Sequence, residues 1–325
     1  MAALRPLEIP EKTMTSGIPP RAVDLTSGVC VLSDLGVLAA RGTDALRFLQ
    51  GQLSSDTSRL IASGSQLTGL HNPQGRCVAV LRLVLAQPDV VLAVLPLELI
   101  AGVAERLRKY ILRAKLRLTD ESGDWQIIGL LGGAPRASGA ILIPLGDRGD
   151  RMLSVRPHTA THERATADVS RERWRALDIE AGLPQIHGAT SERFVAQMLN
   201  LDVLGGIAFD KGCYTGQEVI ARAHYRGRVK RRLQRFATLA AGSMAPGSTT
   251  PRPFAPGFQS RLGDGRPFTV IEAVERADRR CEFLAVTALT AAGEDAEQMS
   301  PDGGESGELS RVDCEPLPLP YSLPS

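Results

Sequence analysis

Apolar residues recur along this chain at two spacings, and the change from one to the other marks out its elements. In LTGLHNPQGRCVAVLRLVL two apolar-rich runs flank NPQG, where Pro73 and Gly75 supply turn chemistry, so a hairpin is predicted. VVLAVL, set off by the QPD break, predicts a third strand. GTDALRFLQGQL changes to helical spacing, with Leu46, Leu49 and Leu53 on one face and Gly51 interrupting near the end. Pro96 suits the first turn of a helix reaching as far as Tyr110, with Leu99, Val103, Leu107 and Tyr110 or Ile111 as its buried stripe. KLRLT, WQIIGLL, AILIPL and RMLSV follow as strand candidates. RERWRALDIEAGL reads as a helix closed by Gly182, and SERFVAQMLNL as a helix or a turn followed by one.

Strands before and after helices, with hairpins among them, predict an α+β fold rather than a doubly wound parallel sheet. Residues 1–28, rich in Pro, Thr and Ser, read as a lead-in segment to a mixed body over 29–232. Between 242 and 266 the chain is dense in Pro, Gly, Ser and Thr. FTVIEAVERADRRCEFLAVTAL then reads as a hairpin around a charged turn, so a small β-rich domain is expected over 233–325. GEDAEQMSPDGGESGELS, acidic and rich in Gly and Ser, reads as a surface loop. No internal repeat is visible.

A chain of 325 residues is long enough for two domains. Its 43% hydrophobic and 23% charged content excludes no fold class, and a net charge of +2 argues against a protein that coats nucleic acid over its whole surface. The five cysteines, at 30, 77, 213, 281 and 314, are odd in number and far apart, with no C-x-x-C and no zinc-ligand spacing. Free thiols in a reducing compartment are the natural reading. The start, MAALRPLEIPEKTM, has no apolar signal core, and the longest apolar stretch is broken by Pro96 and Glu98. A cytoplasmic location without membrane attachment is expected.

Chemistry concentrates in KGCYTGQE. Thr215 and Glu218 have capping-box spacing, which predicts a helix start. Cys213 would then lie near the positive end of a helix dipole with Lys211 close in sequence, and both favour a thiolate. A buried turn cysteine is the competing reading. Between Val219 and Arg235 stand Arg222, Arg226, Arg228, Lys230, Arg231, Arg232 and Arg235, with no acidic residue. Such a run can hold RNA phosphates or glutamate carboxylates, or can be a solvated helix end and strand. A Cys213–His dyad would need His71 or His224 as its base. The glycines match neither a Walker A nor a dinucleotide fingerprint. Trp174, three residues before Leu177 on its helix, is either a core residue or a platform for a flat heteroaromatic ring.

RFVAQMLNLDVLGGIAFDKGCYTGQEVIARAHYRGRVKRRL resembles the signature region of the YgfZ family, folate-binding relatives of the glycine-cleavage T-protein. The resemblance extends to ALRFLQGQLSSD, HNPQGR, LRKYILRAKLRL, WRALDIEAGLPQI and EPLPLPYSL, and so spans nearly the whole chain. It implies a T-protein-like folate-binding body around a central opening, followed by a small C-terminal β-barrel. It also implies a tetrahydrofolate or related reduced folate as cofactor. The partners it implies are iron–sulfur client enzymes whose clusters the protein helps assemble or repair, one of them an enzyme that thiomethylates tRNA. By position, Trp174 matches an aromatic associated with folate binding, and Lys211 and Cys213 match the motif's lysine and cysteine, Cys213 being the functional thiol. Arg222, Arg226 and Arg228 become candidates for the carboxylates of a polyglutamylated folate. Leu35 stands where folate-binding members carry an aromatic. Ala79 and Val80 stand where T-proteins place an aspartate, which weighs against aminomethyl transfer. A folate-dependent aminomethyl- or methyltransferase is the alternative, and a direct tRNA-binding module the second.

Overall fold

The computed structural model describes residues 27–61, 64–146, 149–158, 168–227, 229–238, 254–289 and 310–324. Its first two strands, β1 (Gly28–Val31) and β2 (Leu35–Arg41), were not marked by the periodicity. The reason is that β2 is buried along almost its whole length, so LGVLAAR shows no alternation of polar and apolar residues. The predicted hairpin is β3 (Ser65–His71) and β4 (Cys77–Gln87), with Gly75 at the turn in the left-handed region at φ 71°. With β5 (Val90–Pro96) and β6 (Arg117–Asp120) these strands form an antiparallel sheet in the order β3-β4-β5-β2-β6.

The two faces of β4 do different things. Ala79, Leu81, Leu83 and Leu85 pack with α1 (Ala45–Gln50) and α2 (Ile100–Arg108). On the other face, Val80 joins a core shared with the C-terminal strands, and Val84 joins a core under a second sheet. Arg82 lies between them. The second sheet contains β7 (Trp125–Leu131), β8 (Ile141–Pro144) and β9 (Arg151–Pro157) in the order β1-β7-β9-β8.

Helix α3 (Arg171–Glu180) starts where the Ser170 side chain accepts from the Arg173 amide and closes at Gly182, φ 64°, as predicted. Trp174 and Leu177 pack under the second sheet, while Ala176 and Ile179 face the C-terminal strands. Those strands are β10 (Arg231–Thr238), β11 (Gln259–Leu262), β12 (Pro267–Glu275), β13 (Cys281–Ala288), β14 (Arg311–Val312) and β15 (Cys314–Leu317). They form a nearly closed, barrel-like sheet in the order β14-β11-β12-β13-β10-β15, with Phe236, Phe268 and Phe283 in its interior.

Two predicted helices come out shorter. Helix α2 ends at Arg108, which leaves Tyr110 outside the buried stripe and substantially exposed. SERFVAQMLNL contributes only a 3₁₀ turn at Ala196–Leu199, stopped by Asn200 at φ 57°. Its polar side chains are used for tertiary bonds. Gln197 donates to the Ile220 carbonyl and Asn200 to the Leu233 carbonyl. The lead-in before residue 27 and most of the acidic Gly/Ser-rich segment lie outside the described residues. No described helix is long and apolar enough to cross a membrane.

Candidate functional site

A cavity of about 420 Å³ opens where the three sheets meet, within the size range of small-molecule sites. Helix α3 presents Arg171, Trp174, Arg175 and Asp178 to it, spaced i, i+3, i+4 and i+7 so that they share one face. The turn between β1 and β2 adds Leu32 and Asp34, the start of β2 adds Leu35, and β4 adds Arg82. Glu98, Gln185 and His187 come from connecting segments, and Glu272 from β12. Trp174 and Leu35 therefore line the same cavity. The indole has little free face, however. Arg151 Cζ sits 4.6 Å from its centroid, and a Cβ built on Gly129 would come within 2.4 Å of the ring. Trp174 is only 4% exposed, so it forms a wall of the cavity rather than an open stacking platform.

Most charges around the cavity are paired. Asp34 meets Arg171 at 3.0 Å and Arg175 at 3.8 Å, and Arg175 also reaches Glu272 at 3.3 Å. His187 is held at 2.8 Å by Glu272 through Nε2 and at 3.3 Å by Glu98 through Nδ1. Burial pulls the His187 pKa down, but its bond to Glu272 and the two carboxylate charges outweigh that, and the net shift is upward. Arg151 is bonded to Asp178 at 2.5 Å and to the Leu177 carbonyl at 2.8 Å. Two buried polar atoms on the lining lack partners among the described residues, Asp34 Oδ1 and Gln185 Nε2.

The KGCYTGQE segment is built differently from its sequence expectation. Helix α4 (Gln217–Tyr225) begins after Gly216, which takes φ 82° and makes no side-chain cap. Thr215 and Glu218 form no capping box; instead the Gln217 side chain accepts from the Tyr214 amide. The Lys211 side chain is engaged by main chain at and after the end of α1. Its ammonium donates to the carbonyls of Gln50, Leu53 and Ser55, each at 2.7 Å, and ties this loop to the end of α1. Burial lowers its pKa to about 8. Cys213 is exposed. The other four thiols are not: Cys30 and Cys77 are buried, and Cys281 and Cys314 are partly covered. Burial raises Cys30 to about 11 and Cys281 and Cys314 to about 12, and pushes Cys77 higher still. Neither histidine forms the dyad. His71 is buried with both ring nitrogens unpartnered among the described residues, and burial lowers its pKa to about 3. His224 stacks on Phe209 with centroids 3.7 Å apart.

No family model matches the chain. The tRNA-modifying protein YgfZ of Photorhabdus laumondii is 30% identical over 337 aligned positions, covering 95% of this chain and 97% of that one. That of Edwardsiella ictaluri is 31% identical over 333, covering 94% and 96%. This chain belongs to the YgfZ family. The fold has a solved counterpart in the glycine cleavage system aminomethyltransferase T of Bartonella henselae. That structure superposes with a TM-score of 0.62 at 13% identity, over 81% of this chain and 78% of that one.

In this YgfZ-family protein the basic run does not form one field. Arg232 is buried and bonded to Asp202 at 2.9 and 3.0 Å, and Arg235 pairs with Glu282 at 2.9 Å. Arg231 is partly covered, and Arg228 lies outside the described residues. Arg222 on α4 and Arg226 just past its end are exposed, and neither lines the cavity. Nor do Lys211 and Cys213, so the candidate residues separate into a cavity pair and a group outside the cavity. Sequence reasoning missed Asp34, Arg82, Glu98, His187 and Glu272. Two of these carried a signal, since Arg82 and Glu272 are lone charges within the strand runs CVAVLRLVL and FTVIEAV.

Proposed function

We propose that the cavity binds a reduced folate and that the protein supports assembly or repair of iron–sulfur enzymes, with Cys213 as its working thiol. Transfer RNA thiomethylation is affected through one such client enzyme. The observation that carries the ligand part is the cavity itself. It has apolar walls at Leu32, Leu35 and Trp174, with unsatisfied donor and acceptor atoms at Gln185 and Asp34. A ring with separate donor and acceptor edges suits that lining. Membership among proteins named for tRNA modification, in the fold of an aminomethyltransferase, supports the same reading. The transferase alternative lacks a base where T-proteins carry one, because Ala79 and Val80 are both packed into apolar cores.

Calorimetric titration of the protein with tetrahydrofolate and, side by side, with tRNA tests this. Saturable tetrahydrofolate binding with quenching of tryptophan fluorescence is expected, and tRNA binding is not. Absence of binding by any reduced folate overturns the reading. Tight tRNA binding with a steep salt dependence would favour the RNA module, built on Arg222 and Arg226 beside the exposed Tyr225.

A further inference from the structure

Arg82 stands out once the charges around the cavity are paired off. Asp34, Glu98 and Glu272 are engaged by Arg171, Arg175 and His187, and Asp178 by Arg151. Arg82 lines the cavity and has no hydrogen bond or ion pair with any described residue. It rises from the middle of β4, between Val80 and Val84, which are packed into two different cores. Its neighbours in the lining include Trp174, Leu35 and Leu153. Burial pulls its pKa down to about 10, with Asp178 opposing and Arg151 adding to the shift. Its guanidinium nitrogens are not among the buried polar atoms, so they open onto the cavity, where an acceptor on a ligand can replace water.

Resting on the folate reading of this cavity, we infer that Arg82 anchors the ligand by donating to the carbonyl edge of its heteroaromatic ring, not to its carboxylate tail. The lining favours the ring: a guanidinium can donate to its carbonyl oxygen, and the surrounding leucines and indole suit a flat ring better than a strongly hydrated carboxylate. Arg171, on the more exposed rim of the lining, leaves a tail a wetter path.

The test uses the full chain, the Arg82→Met variant and two probes, tetrahydrofolate and the tail-less 6-methyltetrahydropterin. The variant should bind both probes more weakly, by about ten- to a hundredfold. Its ligand-free melting temperature should not fall, because the guanidinium bonds no described residue and so holds no part of the scaffold. A scaffold residue would lower it instead, and a lower value overturns the inference. So does unchanged affinity for both probes. Loss confined to tetrahydrofolate, or failure of the unsubstituted protein to bind the tail-less pterin while it binds tetrahydrofolate, assigns the contact to the tail and also overturns it. If the unsubstituted protein binds neither probe, the folate reading fails and this inference with it. Binding of tetrahydrofolate with Arg82→Met indistinguishable from the parent sinks only the role of Arg82.

Discussion

At the scale of single residues, accessibility sets Cys213 apart. The thiols of Cys30, Cys77, Cys281 and Cys314 are wholly or partly covered and pushed above their ordinary range, whereas Cys213 lies at the surface ahead of α4. Alkylation requires a thiolate that reagent can reach. Brief iodoacetamide treatment of the folded protein should therefore label Cys213 first, as read by peptide mass spectrometry. Equal labelling of any other cysteine would contradict this. Cys213→Ser makes no buried cavity and should leave the unfolding midpoint unchanged. In cells lacking the native protein it should nevertheless fail to restore iron–sulfur enzyme activity. Full restoration would make the thiol dispensable. Lys211 belongs to a different class, since its ammonium is spent on three carbonyls of the α1 end.

Helix α4 shows how an element can be placed by its approach rather than by its own burial. Only Ile220 of the helix is buried, and Val219 and Tyr225 are left exposed, so its apolar face contributes little. What fixes its start is Gly216 against the NPQG turn. A Cβ there would come within 2.5 Å of the Asn72 carbonyl oxygen and 2.9 Å of Gly75 Cα, and φ is 82°. Gly216→Ala combines a left-handed backbone with contact against main chain, which cannot swing aside. A loss of about 1–3 kcal/mol is expected. Urea unfolding should show a lower midpoint at unchanged slope. A midpoint equal to the parent's would mean that the turn and the helix start move apart freely.

Across the whole molecule, His187 joins parts of the chain that are remote in sequence. It bridges Glu98, just past β5, to Glu272 on β12 of the barrel-like sheet, while Arg175 of α3 holds the same Glu272. The pKa of His187 is raised in the folded protein. Its stabilising contribution is thus fully present below the unfolded value of about 6.5 and is lost as pH rises through the folded value. His187→Gln should destabilise the protein by about 1 kcal/mol near pH 6 and by less near pH 9. Thermal unfolding of both proteins across that range checks it. A difference that stays constant with pH would assign His187 a packing role alone.

Much of the scaffold was legible in the sequence because local periodicity records local burial. The hairpin around NPQG, the strand runs WQIIGLL and RMLSV, and the Ser170–Gly182 limits of α3 all form where spacing and turn chemistry place them. The long KGCYTGQE region was enough to bring the family into view. Strand β2 was not legible, because a strand covered on both faces loses its alternation. Nor was the division of the basic run, since whether Arg232 is a surface charge or a buried partner of Asp202 depends on a loop 30 residues away. The cavity was hidden for the same reason. Arg82, Trp174, His187 and Glu272 come from β4, α3, a connecting loop and β12, and no sequence spacing relates them. Local spacing determined the elements covered on one face; only tertiary packing decided which charges meet inside, because pairing is a property of distance in space.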